Sequence, residues 1–181
     1  IKKEKDIAFA YEVGVRLYAF DSAAELDKLA RQAPGARVFC RILVSCEGAD
    51  WPLSRKFGCS PELAVTLLRR ARELLPVSDD VEVTLEANPG TVEHGAFAEY
   101  RGAGVNRVSL GAQSFDDRHL ASLGRIHAHG EIEVAVAELR DAGLTNFNLD
   151  LMYGLPRQTL AEALLDVDRT IELAPRHISH Y

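Results

Sequence analysis

Residues 146–153, which read NFNLDLMY, decide the fold class. In an extended chain Phe147 and Leu149 share one face, whereas Asn148 and Asp150 share the other. A parallel strand covered by apolar layers on both faces has a nearly continuous apolar sequence. Residues 146–153 alternate between apolar and polar side chains instead. The sequence therefore predicts a strand with helices over one face and polar groups along the other.

Further strands alternate with helices along the whole chain. The other strand candidates are residues 16–20, 37–44, 81–88, 107–113 and 177–181. A helical crossover between successive strands is typical of a parallel sheet. The predicted fold class is therefore α/β, a single partial (βα) TIM-like barrel over residues 1–181, with about six parallel strands and outer helices. A flavodoxin-like open sheet is the alternative.

Three of the predicted helices have clear start signals. Ser22 with Glu25, and Thr159 with Glu162, match the capping box, in which the first side chain and the fourth cap each other's backbone amides. A third helix is predicted after Ser60, where an N-cap serine is followed by proline.

The polar faces of three strands have two interpretations. Alternation places Glu86, Gln113 and Asp150 on such faces. They form either the solvated side of an open sheet or the interior of a barrel shaped for a polar ligand. Buried polar groups without partners cost about 1–3 kcal/mol each, so an interior of this kind needs internal hydrogen bonds, water or a ligand.

Composition limits the classes of partner. The 181 residues are 47% hydrophobic and 27% charged, which is typical of a globular domain, and 21 basic against 27 acidic residues give a net charge of −6. We therefore expect no general attraction to nucleic acid and none to membranes. The charged start is no signal peptide, so a cytoplasmic location is expected. Exposed edges at strands 16–20 and 177–181 predict some self-association.

The cysteines provide no recognisable cofactor motif. The chain has an odd number of cysteines, namely Cys40, Cys46 and Cys59. Their spacing matches neither a zinc nor an iron–sulfur pattern. We therefore expect no disulfide framework and no bound metal.

Long motifs in the second part of the chain identify a family. LEANPGT at 85–91, NRVSLGAQSFDDRHLASLGRIH at 106–127 and NFNLDLMYGLPRQT at 146–159 resemble the coproporphyrinogen oxidase-like haem chaperones of the radical SAM superfamily. The resemblance runs from about residue 77 to residue 181. It implies that these segments are strands three to six of a six-stranded partial barrel.

The same resemblance implies four residues that contact S-adenosylmethionine (SAM). They are Glu86, Gln113, Arg125 and Asp150, with Arg125 suited to pair with the methionyl carboxylate. Family members also use a [4Fe–4S] cluster held by a CxxxCxxC motif, and this motif is absent from the chain.

Residues 1 to about 75 resemble a different family. GVRLYAFDSAAELDKLA at 14–30, PGARVFCRIL at 34–43 and PLSRKFGCSPEL at 52–63 are similar to the barrel of fold-type III ornithine and lysine decarboxylases, which use pyridoxal phosphate. This resemblance implies that Arg41 lies near the position of that cofactor. The family's Schiff-base lysine strand and glycine-rich phosphate loop have no counterpart in the chain.

Together the two resemblances suggest an engineered chimeric barrel. The expected junction lies within residues 69–80, between a decarboxylase-like part (1–75) and a radical SAM-like part (76–181). Because both sets of reactive residues are incomplete, we expect an inactive scaffold, not an enzyme, with vestigial sites and no cofactor. The alternatives are a radical SAM fragment that still binds SAM and a fragment of a pyridoxal-phosphate decarboxylase.

Overall fold

A computed structural model describes residues 2–43, 58–90 and 96–181 of the chain. Helices and parallel strands alternate along these segments, which confirms the predicted α/β class. In chain order the elements are α1 (Glu4–Glu12), β1 (Leu17–Phe20), α2 (Ala23–Gln32), β2 (Arg37–Cys40), α3 (Pro61–Leu74), β3 (Thr84–Ala87), α4 (Ala96–Gly102), β4 (Arg107–Gln113), α5 (Asp117–Ser122), α6 (His129–Asp141), β5 (Phe147–Leu151), α7 (Leu160–Glu172) and β6 (His177–His180).

The described residues form two compact units, which divide between Val81 and Glu82. In the first unit β1 and β2 pair in parallel, with Leu17 opposite Arg37. Ile7 of α1 and Leu26 of α2 are fully buried, because each apolar helix face needs a partner surface.

The second unit is a four-stranded parallel sheet in the order β3-β4-β5-β6. Its core face is fully apolar at Val108, Leu110 and Leu149, all of which are 0% exposed. Ile132 of α6 packs against Ala112 and Leu151 in a buried cluster on this side. The helices therefore cover the apolar face, and the polar residues of the alternating pattern lie on the opposite face.

The predicted helix starts are observed. Ser60 accepts a hydrogen bond from the Leu63 amide, and Thr159 forms a complete capping box with Glu162. Ser22 also caps its helix, but the carboxylate of Glu25 is bound by two lysines.

Strand β4 is irregular at its carboxyl end. Its register against β5 shifts between Leu110 and Gln113, which indicates a β-bulge. Gln113 has a φ of 60°, a left-handed conformation that non-glycine residues seldom adopt. The bulge ends the strand at one of the predicted site residues.

None of the helices in the described ranges combines the length and the apolar character needed to cross a bilayer. The self-association expected from the strand edges stays a prediction.

Candidate functional site

A hydrogen-bonded network covers the polar face of β4, β5 and β6. The Ser109 hydroxyl donates to Asp150 Oδ2 at 2.9 Å, and Asn148 Nδ2 donates to Asp150 Oδ1 at 2.7 Å and to Ser109 Oγ at 2.9 Å. Ser179 donates to Asn148 Oδ1 at 3.2 Å. The network fixes the orientation of Asp150, which is partly exposed and so can accept further hydrogen bonds from a ligand.

Glu86 lies beside this network on strand β3. In the sheet register it is the partner of Ser109, and it is exposed. Glu86 and Asp150 therefore approach the same serine from its two neighbouring strands. Two carboxylates on one face give this part of the sheet a strong capacity to accept hydrogen bonds.

A second polar group lies two residues further along the same strands. Arg125 Nη1 donates to Asn88 Oδ1 at 3.2 Å. A methyl group on Gly111 would lie 2.6 Å from Gln113 Nε2 and 2.7 Å from Asn88 Oδ1. Only glycine at position 111 leaves room for the side chains of Gln113 and Asn88 in these positions, because glycine has no Cβ.

Two features of Gln113 are unfavourable to the free energy of the folded chain. Its side chain is buried at 2% exposure, and its Oε1 has no hydrogen-bond partner among the described residues. An unsatisfied buried acceptor costs about 1–3 kcal/mol, and a left-handed non-glycine residue costs a similar amount. Strain and an unpaired acceptor together are typical of a residue that is held ready for a ligand.

The four residues implied by the radical SAM resemblance thus fall into two neighbouring pairs on one sheet face. Glu86 and Asp150 flank Ser109, whereas Gln113 and Arg125 lie beside Asn88.

Asn88, Ser109 and Asn148 were not predicted as site residues. The signal that could have found them is the alternation of the strands, since all three lie on the polar faces.

Arg41 lies in the first unit, directly after β2. Its amide donates to Phe20 O at 2.9 Å and its carbonyl accepts from the Cys59 amide at 2.8 Å. The backbone of Arg41 therefore extends the pairing of β2, and its implied role near pyridoxal phosphate stays a prediction.

The cysteines do not fit an iron–sulfur cluster. Cys40 Sγ and Cys59 Sγ are 3.5 Å apart and share a hydrogen bond, and burial raises the pKa of both thiols. Raised pKa values disfavour the thiolate that binds iron. Cys46 lies outside the described residues, and positions 40, 46 and 59 do not reproduce CxxxCxxC.

Two histidines of the second unit are buried. His119 and His127 are each 4% exposed. Burial lowers the pKa of His127, whose Nε2 lies 3.4 Å from Ala112 O, and so favours the neutral ring.

Comparisons with known proteins identify relatives along most of the chain. The profile of the radical SAM superfamily matches residues 10–169. The heme chaperone HemW of Escherichia coli is 53% identical over 116 residues, which is 64% of this chain and 31% of HemW. The chain thus spans about a third of the length of the curated relatives it matches.

Solved structures agree on the fold. Coproporphyrinogen III oxidase (HemN) from E. coli, a radical SAM enzyme, covers 100% of this chain at a TM-score of 0.65 and 22% identity, over 38% of its own length. The radical SAM methyltransferase TsrM from Kitasatospora setae, solved with cobalamin and a [4Fe–4S] cluster, covers 97% at a TM-score of 0.54 and 15% identity, over 29% of its length. The α/β fold is consistent with a partial radical SAM barrel.

These findings correct two expectations. The superfamily match runs from residue 10 to residue 169, across the junction expected at 69–80, so the hypothesis of an engineered chimeric scaffold is wrong. The expectation of no cofactor is also wrong, because this superfamily uses SAM with a [4Fe–4S] cluster and the TsrM structure contains such a cluster.

Proposed function

This chain belongs to the radical SAM superfamily, and on that basis we propose that its second unit, residues 82–181, binds SAM as part of a haem chaperone similar to HemW. The proposal for the second unit depends on one observation above all, the buried and unpaired Oε1 of Gln113 beside Gly111. An amide oxygen in this state gains a full hydrogen bond when a ligand supplies a donor.

The side chains of the site match the chemical groups of SAM. The ligand offers an ammonium group and ribose hydroxyls as donors, and a carboxylate as acceptor. Glu86, Asp150 and Gln113 are acceptors, and the planar guanidinium of Arg125 suits a carboxylate. Arg125 uses Nη1 to bind Asn88, and its remaining N–H groups can bind the ligand.

When bound, SAM supplies the adenosyl group on which the chemistry of the superfamily depends. The residues of this chain would hold the ligand in place: Ser109 and Asn148 fix Asp150, and Asn88 fixes Arg125. Because Cys40 and Cys59 do not fit a cluster, absence of turnover by this chain alone stays a prediction.

The role in haem handling rests on the relatives. HemW of E. coli is named a heme chaperone, and it is 53% identical to this chain over 116 residues. Since the chain covers 31% of HemW, we propose this role for the longer protein of which such a chain is a part.

Calorimetric titration tests SAM binding by the chain. Arg125→Ala should weaken SAM binding by about 10- to 100-fold, since a hydrogen bond to a charged group contributes about 1.5–3 kcal/mol. Arg169→Ala is the matched control. Arg169 is a surface arginine on α7 that pairs with Glu133 and Glu172, and its removal should leave the SAM affinity unchanged.

A truncated ligand makes this test specific. 5′-Methylthioadenosine lacks the methionyl carboxylate, so its affinity should be insensitive to Arg125→Ala. Absence of SAM binding to the folded wild-type chain would refute the proposal. Equal weakening of both ligands by Arg125→Ala would refute the role given to Arg125.

A further inference from the structure

Three potential metal ligands meet between helices α5 and α7, in a cluster separate from the residues proposed to hold SAM. Asp116 precedes α5, His119 lies within it, and Glu162 lies in the first turn of α7. One ligand atom from each residue lies within 4.8 Å of the other two. The cluster therefore joins segments that are more than 40 residues apart in sequence.

His119 distinguishes this cluster from an ordinary group of surface acids. The residue is 4% exposed, and its Nε2 is buried without a hydrogen-bond partner among the described residues. The same atom lies 3.7 Å from Glu162 Oε2, which is too far for a hydrogen bond. This buried ring nitrogen therefore lacks a partner, and an ion placed beside both atoms would supply one.

The two carboxylates are ionised at neutral pH. Hydrogen bonds from Arg118 lower the pKa of Asp116 to about 2. Hydrogen bonds from the Thr159 amide and hydroxyl, together with Arg118, lower the pKa of Glu162 to about 2 as well. Both side chains are thus in the form that binds a cation.

We propose that Asp116, His119 and Glu162 bind a divalent transition-metal ion, Zn²⁺ being the best match, with water as the remaining ligand. Zinc takes nitrogen ligands at about 2.0–2.1 Å and carboxylate oxygens at about 2.0–2.2 Å in tetrahedral sites. Ligand atoms in such a site are about 3.3–3.5 Å apart. The 3.7 Å between His119 Nε2 and Glu162 Oε2 requires only a small adjustment.

Arg118 is the group that competes with the ion. Its Nη2 donates to both Asp116 Oδ2 and Glu162 Oε1, and so neutralises the carboxylates. The Arg118 side chain is 74% exposed and can therefore move into solvent when a metal ion binds. Glu162 Oε2 accepts from both the amide and the hydroxyl of Thr159, so an ion bound through this oxygen must replace one of those two hydrogen bonds. Glu162 Oε1 is released when Arg118 moves away.

The expected consequence is a metal-dependent link between α5 and α7. Binding to the folded state alone raises the unfolding free energy by an amount that grows with the metal concentration. The site requires neither SAM nor haem, so it can be present or absent independently of the proposed function.

Titration of the chain with Zn²⁺, followed by calorimetry and thermal unfolding, tests the proposal. The wild-type chain should bind one ion in a step that His119→Gln weakens by at least about tenfold, a typical cost even for residues that only support a ligand. Arg118→Ala should strengthen the same step, because it removes the competing charge. His129→Ala removes an exposed histidine that is paired with Asp117 at 3.0 Å, and it should change nothing.

Cobalt provides a readout of geometry. Co²⁺ bound by the wild-type chain should give the visible absorption of a tetrahedral site, and His119→Gln should abolish it. Circular dichroism shows whether His119→Gln is folded, and Glu162→Gln serves as a second variant with the same expected loss. Zinc affinity that is unaffected by both variants, or reduced by Arg118→Ala, would overturn the proposal.

Discussion

The Ser114 hydroxyl donates a 2.8 Å hydrogen bond to the buried carboxylate of Asp166 on α7. The other oxygen of Asp166 accepts from the Phe115 amide at 2.7 Å. Ser114 directly follows Gln113, so α7 holds the turn from which the strained glutamine extends into the candidate site. The link explains how an unfavourable backbone conformation is maintained.

Replacing Asp166 should therefore affect both stability and binding. Asp166→Ala removes the acceptor of the Ser114 hydroxyl, the Phe115 amide and the Gln158 side chain, and we expect it to lower the free energy of unfolding by about 2–4 kcal/mol. Urea unfolding measures this loss, and SAM titration should show weaker binding. Asp168→Ala changes an exposed acid on the same helix and should shift the free energy by less than about 0.5 kcal/mol. Similar effects of the two variants would contradict the role given to Asp166.

Gly111→Ala should reduce ligand binding more than stability. The added methyl group would meet the ends of Gln113 and Asn88, which can move aside at a cost of about 1 kcal/mol but then leave their positions in the site. We expect SAM affinity to fall about tenfold or more, as measured by calorimetry.

Gly130→Ala is the matched control, because a methyl group there meets nothing within 4 Å and the residue lies in helix α6. It should leave binding unchanged and stabilise the fold slightly. A Gly111→Ala protein with unaltered SAM affinity would exclude this end of the sheet as the site.

Acid should destabilise the first unit through Glu25. Burial raises the pKa of this group, but hydrogen bonds from Lys2 and Lys28 outweigh burial and lower it from 4.5 to about 2. A lowered pKa means that the stabilisation is complete above pH 4.5 and is lost as the pH falls towards 2. Because Lys2 is 36% exposed and solvent screens the pair, we expect only about 1–2 kcal/mol.

Urea unfolding at pH 7, 4.5 and 2 measures this dependence. Glu25→Gln should be less stable than the wild type at pH 7, and the difference should vanish near pH 2. Asp27→Asn, an exposed acid on the same helix, should show no such convergence. If the free energy of unfolding of Glu25→Gln is still below that of the wild type at pH 2, the effect of the substitution is due to packing and not to the charge of Glu25.

The thiols of half-buried Cys40 and buried Cys59 should be unreactive. Because burial raises the pKa of Cys40 and Cys59, little thiolate forms at neutral pH. In a Cys46→Ser background, iodoacetamide at pH 7.5 should alkylate the native protein at least about tenfold more slowly than the urea-unfolded protein. Rapid native labelling of both cysteines would show that the pair is accessible and ionised.

Much of the second unit could be predicted from its alternating strands. The stretch at 146–153 forms β5 at Phe147–Leu151, with Leu149 in the core and Asp150 on the polar face. This works because the side-chain period of a strand is fixed by its backbone. Helix starts at Ser60 and Thr159 were predictable for a similar reason, since capping is a local interaction.

Other features depend on contacts that no local pattern reveals. Helix α1 has no side-chain cap at Lys3 and was not predicted. His119 is buried, and its Nε2 lies 3.7 Å from Glu162 of helix α7, more than 40 residues away in sequence. The bulge at Gln113 is stabilised by Asp166, a long-range contact of the same kind. Such positions follow from the tertiary fold and not from propensity.

Hydrogen–deuterium exchange with and without saturating SAM tests the central claim most directly, because it locates the ligand on the chain. We expect slower exchange in peptides that contain residues 86–88, 109–114, 125–127 and 148–152, and unchanged exchange in residues 17–40 of the first unit. The account would be contradicted if saturating SAM left the exchange rates of all four segments unchanged, or slowed exchange only in residues 17–40.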